Sequence, residues 1–225
     1  MQKYIDVIIP RGGKNLVKKI QNKSKIPTIG HLEGICHVYI HKKANLNMAI
    51  NIVKNAKMRN FSICGAAETL LIDRECLKTH CKPILNELFR LGCQIIGDDQ
   101  IKKEFSNKIK TANFKDWNTE YLAPIISVKS VNGIYSAIEH INRHGTSHTD
   151  SIVTNDKNAA KNFLTNINSS IAVHNASTQF ADGGEFGFGA EVGISTGKLH
   201  PRGPVGLNQL CTYKYILRGN GQIRK

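Results

Sequence analysis

Short apolar segments and amphipathic segments alternate along nearly the whole chain, and this order restricts the possible fold more than any other feature. Eight segments have the length and composition of buried strands: 5–9, 26–29, 35–40, 68–72, 93–96, 125–128, 151–154 and 171–173. Five have the apolar spacing of helices: 15–23, 47–58, 77–91, 132–143 and 157–167, the third of them interrupted near Pro83. This alternation predicts an α/β fold with a largely parallel sheet.

The composition is that of a folded globular protein. Of the 225 residues, 40% are hydrophobic and 21% are charged, which excludes a disordered chain. No apolar stretch approaches the roughly 20 residues needed to cross a bilayer, and the N-terminus has no signal-peptide pattern. We therefore expect a cytoplasmic protein without a membrane partner.

The formal charge of +14 comes largely from lysines in the first 60 residues. A basic surface attracts anions, which include nucleic acid, nucleotide cofactors and phosphorylated substrates. The sequence has no zinc-finger spacing, no heptad-linked basic helix and no aromatic run among its basic residues. Nucleic-acid binding therefore ranks third among the functions considered, and a lysine-rich solvated surface explains the charge more simply.

Cys64 has the sequence surroundings of a reactive thiol. Small residues flank it, among them Ser62, Gly65 and Ala66, and an apolar strand segment follows. A nucleophilic thiol needs an approach path and a means of becoming a thiolate, whereas a structural cysteine usually lies inside an apolar run. Free cysteines are also among the most buried residue types, so a structural Cys64 remains the alternative.

The cysteines and histidines do not predict a metal site. The six cysteines include no CxxC pair. His140, His144 and His148 recur every four residues, but Gly145 and Thr146 end the helix and take His148 off its face. No carboxylate or cysteine completes a ligand set with them, and we expect solvated or capping histidines.

Two glycine-containing segments are candidate binding elements. Gly12 and Gly13 stand between a strand segment and a helix, where a turn can approach a bound anion, although an ordinary turn has the same pattern. Segment 173–196 is rich in glycine and lacks helical spacing. A long ordered loop of this kind usually lines a site, and a flexible surface loop is the alternative.

Taken in order, many segments of the chain resemble γ-glutamyl phosphate reductase, a family of the aldehyde dehydrogenase superfamily. They are 6–13, 31–39, 64–71, 119–122, 148–154, the glycine-rich segment, 202–207, 212–215 and 218–223. The resemblance covers essentially the whole chain but only the C-terminal half or so of the family's length, which implies a truncated form. It implies an aldehyde-dehydrogenase-like fold with a remnant of the NADPH-binding domain at 1–40, a catalytic thiol domain at 41–195 and a C-terminal arm at 196–225.

The resemblance also implies a reaction and a role for individual residues. Cys64 matches the nucleophile that attacks L-glutamate 5-phosphate and forms a thioester, which NADPH reduces to glutamate 5-semialdehyde for proline biosynthesis. Gly12 and Gly13 match the turn at the nicotinamide end of the cofactor, and Glu120 matches a glutamate that binds the nicotinamide ribose. His31 matches the position of a general-base glutamate in hydrolytic relatives, with the alignment uncertain by a residue or two because Glu33 lies nearby.

Two functions of different class remain open. The first is a reductase that acts on the small-molecule acyl phosphate once a separate N-terminal polypeptide complements it. The second is a catalytically inactive remnant or interaction protein, and Gly65, which replaces the family's usual asparagine, favours it. In the chain alone, segment 5–9 would expose an apolar strand edge, so we expect self-association that a complementing N-terminal half suppresses.

Overall fold

A seven-stranded parallel sheet forms the centre of the computed structural model, which describes residues 2–106 and 108–224. Its strands, in chain order, are β1 (Cys36–Ile40), β2 (Ala67–Asp73), β3 (Gln94–Gly97), β4 (Lys110–Thr111), β5 (Ile125–Val131), β6 (Thr149–Val153) and β7 (Ile171–His174). Their order across the sheet is β4-β3-β5-β2-β1-β6-β7, and every pairing is parallel. The predicted α/β fold is confirmed, as is each predicted strand from 35–40 onward.

Helices cover both faces of this sheet. They are α2 (Leu46–Met58), α3 (Leu77–Arg90), α4 (Asp99–Glu104), α5 (Gly133–His144) and α6 (Lys157–Asn166), whereas α1 (Lys14–Lys23) precedes the first strand and adds no residue to the cores on these faces. Successive residues of a strand point to opposite faces, so β1 supplies two cores. Val38 and Ile40 pack with α2 and α3, whereas Tyr39 packs with α5 and α6. The five predicted helices are therefore present, each buried along one side.

Two expectations about local structure were wrong. Helix α3 runs without interruption through Pro83, although proline has no backbone N–H to donate there. The buried side chains of Ile84, Leu85 and Leu88 hold the helix against the sheet. Segments 5–9 and 26–29 do not form strands of the sheet. They meet only in one isolated bridge, between Ile8 and Thr28, and neighbouring prolines limit any longer ladder.

Other elements were not predicted. Helix α4 begins at Asp98, whose side chain accepts a hydrogen bond from the Ile101 backbone N–H at 2.9 Å, a signal that the sequence contains. β4 has only two residues, too few for a periodic pattern. β8 (Gly193–Ser195) and β9 (Gly203–Val205) form a small antiparallel sheet beyond the glycine-rich segment.

The position of β1 bears on the proposed division of the chain. Residues 36–40 were assigned to the cofactor-domain remnant, yet β1 pairs with both β2 and β6 near the middle of the seven-stranded sheet. The rest of the 1–40 segment lies outside that sheet. Among the described residues, no helix is both long enough and apolar enough to span a lipid bilayer.

Candidate active site

Three adjacent parallel strands begin at the same edge of the sheet, and candidate residues precede each of them. Cys64 lies in the turn before β2, His31 lies on the approach to β1, and His148 immediately precedes β6. Because the sheet order is β2-β1-β6, these three approaches are neighbours in space. One side-chain ligand atom from each of the three residues lies within 4.8 Å of the other two.

The turn that carries Cys64 is held in close contact with the approach to β1. A Cβ added to Gly34 would lie 2.1 Å from the Cys64 carbonyl oxygen, so only glycine fits there. The Cys36 thiol donates a hydrogen bond to the same oxygen at 3.2 Å. The backbone of Cys64 is therefore fixed by residues about 30 positions earlier in the chain.

The start of the glycine-rich segment holds the other side of this turn. The Thr178 hydroxyl donates to the Gly65 carbonyl at 2.7 Å. The Gln179 side chain donates to the Asn60 carbonyl at 3.1 Å and accepts from Arg59 at 3.0 Å. Thr178 and Gln179 were not singled out in the sequence, because nothing local indicates that they contact residues 59–65.

A cleft of about 280 Å³ opens beside Cys64. Residues of three separate segments line it with Cys64: 9–12, 29–32 and 192–194. Gly12 is part of this lining, whereas Gly13 is the N-terminal cap residue of α1 and lies outside it. The end of the glycine-rich segment thus contributes to the wall of the cleft.

The charges around Cys64 oppose its ionisation. Burial, followed by the negative charges of Glu120 and Glu191, raises the pKa of the Cys64 thiol to about 11, and Arg11 offsets only part of this. In the free protein Cys64 is therefore a protonated thiol at neutral pH.

His31 and His148 provide the imidazole groups next to this thiol. The Nδ1 atom of His31 lies 2.8 Å from the Ile194 carbonyl oxygen, and since a carbonyl only accepts, Nδ1 carries a proton. The His148 ring lies edge-on to the His31 ring, with 4.9 Å between centroids. Burial lowers the pKa of His148 to about 3, so this imidazole is neutral.

The histidine pattern of the sequence divides as expected at the end of α5. The rings of His140 and His144 lie 4.6 Å apart near the end of that helix. His148 lies beyond the helix, beside Cys36 and Cys64, so the prediction that it leaves the helical face is confirmed. The expectation of solvated histidines is wrong, because the side chains of all three are buried. Glu33, the alternative to His31, pairs with Lys14 and does not line the cleft.

Glu120 is linked to Cys64 through a single backbone contact. Its Oε1 atom accepts a hydrogen bond from the Gly34 N–H at 2.7 Å, and Gly34 packs directly on the Cys64 carbonyl. Glu120 does not line the cleft itself. The carboxylate thus helps to hold the contact between the two loops, a role that the sequence did not indicate.

The fold and this thiol cleft define a class of protein. The family model described as the aldehyde dehydrogenase family matches residues 110–216. A solved structure of gamma-glutamyl phosphate reductase from Thermotoga maritima superposes with a TM-score of 0.97 at 38% identity, over 100% of this chain and 54% of that one. Residues 110–216 thus match the aldehyde dehydrogenase family, and the chain has the fold of this solved structure.

Two curated relatives are more similar to this chain in sequence. Gamma-glutamyl phosphate reductase from Methylobacterium nodulans is 56% identical over 98% of this chain and 51% of its own length. The enzyme of that name from Paramagnetospirillum magneticum is 54% identical over 100% of this chain and 53% of its own length. This protein is therefore a homologue of gamma-glutamyl phosphate reductase that spans about half the length of its curated relatives.

A more distant structure has a bound cofactor. Glyceraldehyde-3-phosphate dehydrogenase from Methanocaldococcus jannaschii, solved in complex with NADP, has a TM-score of 0.64 at 17% identity, over 87% of this chain and 50% of that one. At this identity the likeness concerns the fold alone.

Proposed function

We propose that this chain carries the thiol chemistry of an NADPH-dependent γ-glutamyl phosphate reductase in proline biosynthesis. Its substrate is L-glutamate 5-phosphate, and its products are glutamate 5-semialdehyde and phosphate. The observation that most supports this is the cleft that joins Cys64 to His31 and to the Gly12 turn. The cytoplasmic location predicted from the sequence remains a prediction.

The first step is attack by Cys64 on the acyl phosphate. A bond forms between Sγ and the acyl carbon, the bond from that carbon to the phosphate oxygen breaks, and phosphate leaves with the electron pair. With a thiol pKa of about 11, only about one molecule in 10,000 is a thiolate at pH 7, so a proton acceptor is needed. His31 suits this role because its Nδ1 proton is donated to Ile194, which leaves Nε2 as the acceptor.

The second step reduces the thioester carbonyl of the acylated Cys64. NADPH supplies a hydride when it is bound in this cleft. The bond from carbon to Sγ then breaks, the aldehyde is released, and Cys64 returns as a thiolate. Once His31 holds the proton of Cys64 it cannot accept one from water, so it does not promote hydrolysis of the thioester.

In our proposal Gly12 in the cleft, with Gly13 and Glu120 outside its lining, holds the nicotinamide end of the cofactor. Gly12 has a φ of +146°, and its backbone lines the cleft without a side chain. Gly13 is the N-terminal cap residue of α1 and supplies no side-chain cap, although its carbonyl accepts from the Leu16 N–H at 2.9 Å. Glu120 has two carboxylate oxygens, of which one accepts from Gly34, and the other is available in our proposal for a ribose hydroxyl.

The alternative is a catalytically inactive homologue that acts as an interaction protein. The acidic surroundings of the Cys64 thiol favour this alternative, since they oppose formation of the nucleophile. If the protein is such an inactive homologue, it should show no turnover. A basic nucleic-acid-binding protein was the third possibility, and no feature of the cleft supports it.

The test is phosphate-dependent reduction of NADP by glutamate 5-semialdehyde. It is measured for the chain alone and after addition of the part of the M. nodulans relative that this chain does not span. We expect turnover in the mixture, with at least about a 1,000-fold loss on Cys64→Ala. The control Cys211→Ser changes an exposed cysteine and should leave turnover unchanged. Turnover that survives Cys64→Ala would refute the proposal, and a folded mixture without turnover would favour the inactive homologue.

A further inference from the structure

His31, Cys64 and His148 form a compact group of two imidazoles and one thiol. One ligand atom from each residue lies within 4.8 Å of the others. A tetrahedral zinc ion bound by nitrogen and sulfur needs its ligand atoms about 3.5 Å apart. Small side-chain rotations would close this difference, because the three residues precede neighbouring strands and their backbones are already in place.

The hydrogen bond of His31 suits a metal ligand. Histidines that bind metals usually donate their other ring N–H to a carbonyl or carboxylate, which fixes the orientation of the ring. The Nδ1 atom of His31 donates in this way to the Ile194 carbonyl oxygen at 2.8 Å. Its Nε2 atom is left with a free lone pair.

His148 supplies an independent indication. Its side chain is fully buried, and its Nε2 atom has no hydrogen-bond partner among the described residues. The Nδ1 atom lies 2.9 Å from the Thr149 hydroxyl, which can accept its proton. A buried polar atom without a partner is unusual in a folded protein, and a bound cation would satisfy it.

The charges near the thiol also favour a cation. Glu120 and Glu191 place two negative charges near Cys64, against the single positive charge of Arg11. Two nitrogens and one thiolate sulfur are a ligand set typical of zinc with one coordination position open.

We propose that His31, Cys64 and His148 bind a zinc-class divalent cation that covers the nucleophile and blocks acyl transfer reversibly. On binding, the S–H bond of Cys64 breaks, a bond from sulfur to the metal forms, and the proton goes to solvent. No oxidant or reductant is needed. Binding of the cation requires only this geometry, whereas the block of acyl transfer rests on the reductase function proposed above.

The test uses cobalt(II) as a spectroscopic probe of the full chain, reduced and then freed of thiol reagents. We expect one cobalt per chain, a charge-transfer absorption from thiolate to cobalt in the near ultraviolet, and its loss when zinc or a chelator is added. Cys64→Ser should abolish the absorption. His31→Gln and His148→Gln should each weaken cobalt binding at least about tenfold.

Cys211→Ser is the matched control, because it removes an exposed cysteine distant in sequence from the group. It should leave the absorption and affinity unchanged. Since His148 is buried and its replacement could unfold the chain, the half-buried His31 provides the second variant, and circular dichroism checks each fold. Absence of the absorption, its survival in Cys64→Ser, or unchanged affinity in His31→Gln would overturn the proposal.

Discussion

At the scale of single residues, Cys64 is a thiol whose surroundings oppose its ionisation. Burial contributes most, and the carboxylates of Glu120 and Glu191 add to it, so that the thiol pKa rises to about 11. The sequence indicated an approachable thiol but not this charge distribution. Small neighbours are visible in a local segment, whereas both glutamates come from distant parts of the chain.

The alkylation rate of Cys64 should therefore increase with pH well beyond neutrality. Only the thiolate reacts, and below its pKa the thiolate fraction rises about tenfold per pH unit, so the rate should rise about 100-fold from pH 7 to pH 9. Glu120→Gln removes a negative charge that raises the pKa. It should therefore shift the profile to lower pH and speed alkylation at pH 8 about threefold or more.

Peptide mapping after brief iodoacetamide treatment measures this rate. Glu139→Gln, an exposed change on α5, is the matched control and should leave the profile in place. Cys64 should react before the four buried cysteines, which are Cys36, Cys76, Cys81 and Cys93. Cys211 is exposed, so the prediction covers only these four cysteines. A rate that is already constant from pH 7 to 9 would contradict the prediction.

At the scale of elements, a buried ion pair anchors both ends of the turn that carries Cys64. Lys57 is near the end of α2 and Glu68 is near the start of β2, and their side chains meet at 2.6 Å with almost no exposure. Glu68 also accepts a hydrogen bond from the Leu122 N–H at 3.2 Å. The pair thus holds the end of α2 next to the start of β2, on either side of the turn that carries Cys64.

Replacing one residue of this pair should reduce the free energy of unfolding more than replacing both. Lys57→Met leaves a buried carboxylate without its partner and should reduce the free energy of unfolding by about 3–5 kcal/mol, as should Glu68→Leu. The double variant should lose much less free energy of unfolding than the two single variants lose together, since neither charge is then left buried without a partner. Urea denaturation measures all three.

The exposed pair Lys42–Glu75 is the comparison, because water screens both of its charges. Lys42→Met should change the free energy of unfolding little. Additive losses in the Lys57 and Glu68 double variant would show that the pair does not act as a unit.

At the scale of the whole molecule, the C-terminal segment presents large apolar side chains to solvent. Tyr213, Tyr215 and Leu217 are 80%, 90% and 93% exposed. Segment 5–9 forms no strand edge of the main sheet, so the edge on which the expected self-association was based is not present. The exposed C-terminal side chains provide a different physical basis for the expected self-association, because burying apolar surface against another chain is favourable.

The chain should therefore associate with itself as its concentration rises. Tyr215→Ser together with Leu217→Ser should weaken this association by removing apolar area. Tyr135→Ser is the control, because Tyr135 is also 74% exposed but lies on α5. Sedimentation velocity over a range of concentrations measures the effect. A monomer at every concentration, or an equal effect of the control, would contradict the prediction.

The sequence by itself determined the order and type of the main elements, because the spacing of apolar residues is a local property. It failed where tertiary contacts overrode local preference. Burial of Leu88 and its neighbours carries α3 through Pro83. Segment 5–9 has the composition of a strand but lies away from the sheet that would complete its hydrogen bonds.

For the site, the sequence singled out Cys64 as the candidate nucleophile and the resemblance supplied His31, but the tertiary structure decided what surrounds them. His148 joins Cys64 only because β6 and β2 both lie beside β1. Gly34 matters only because the Cys64 carbonyl packs against it. Contacts between segments this far apart follow from strand order in the sheet, and no local spacing in the chain encodes that order.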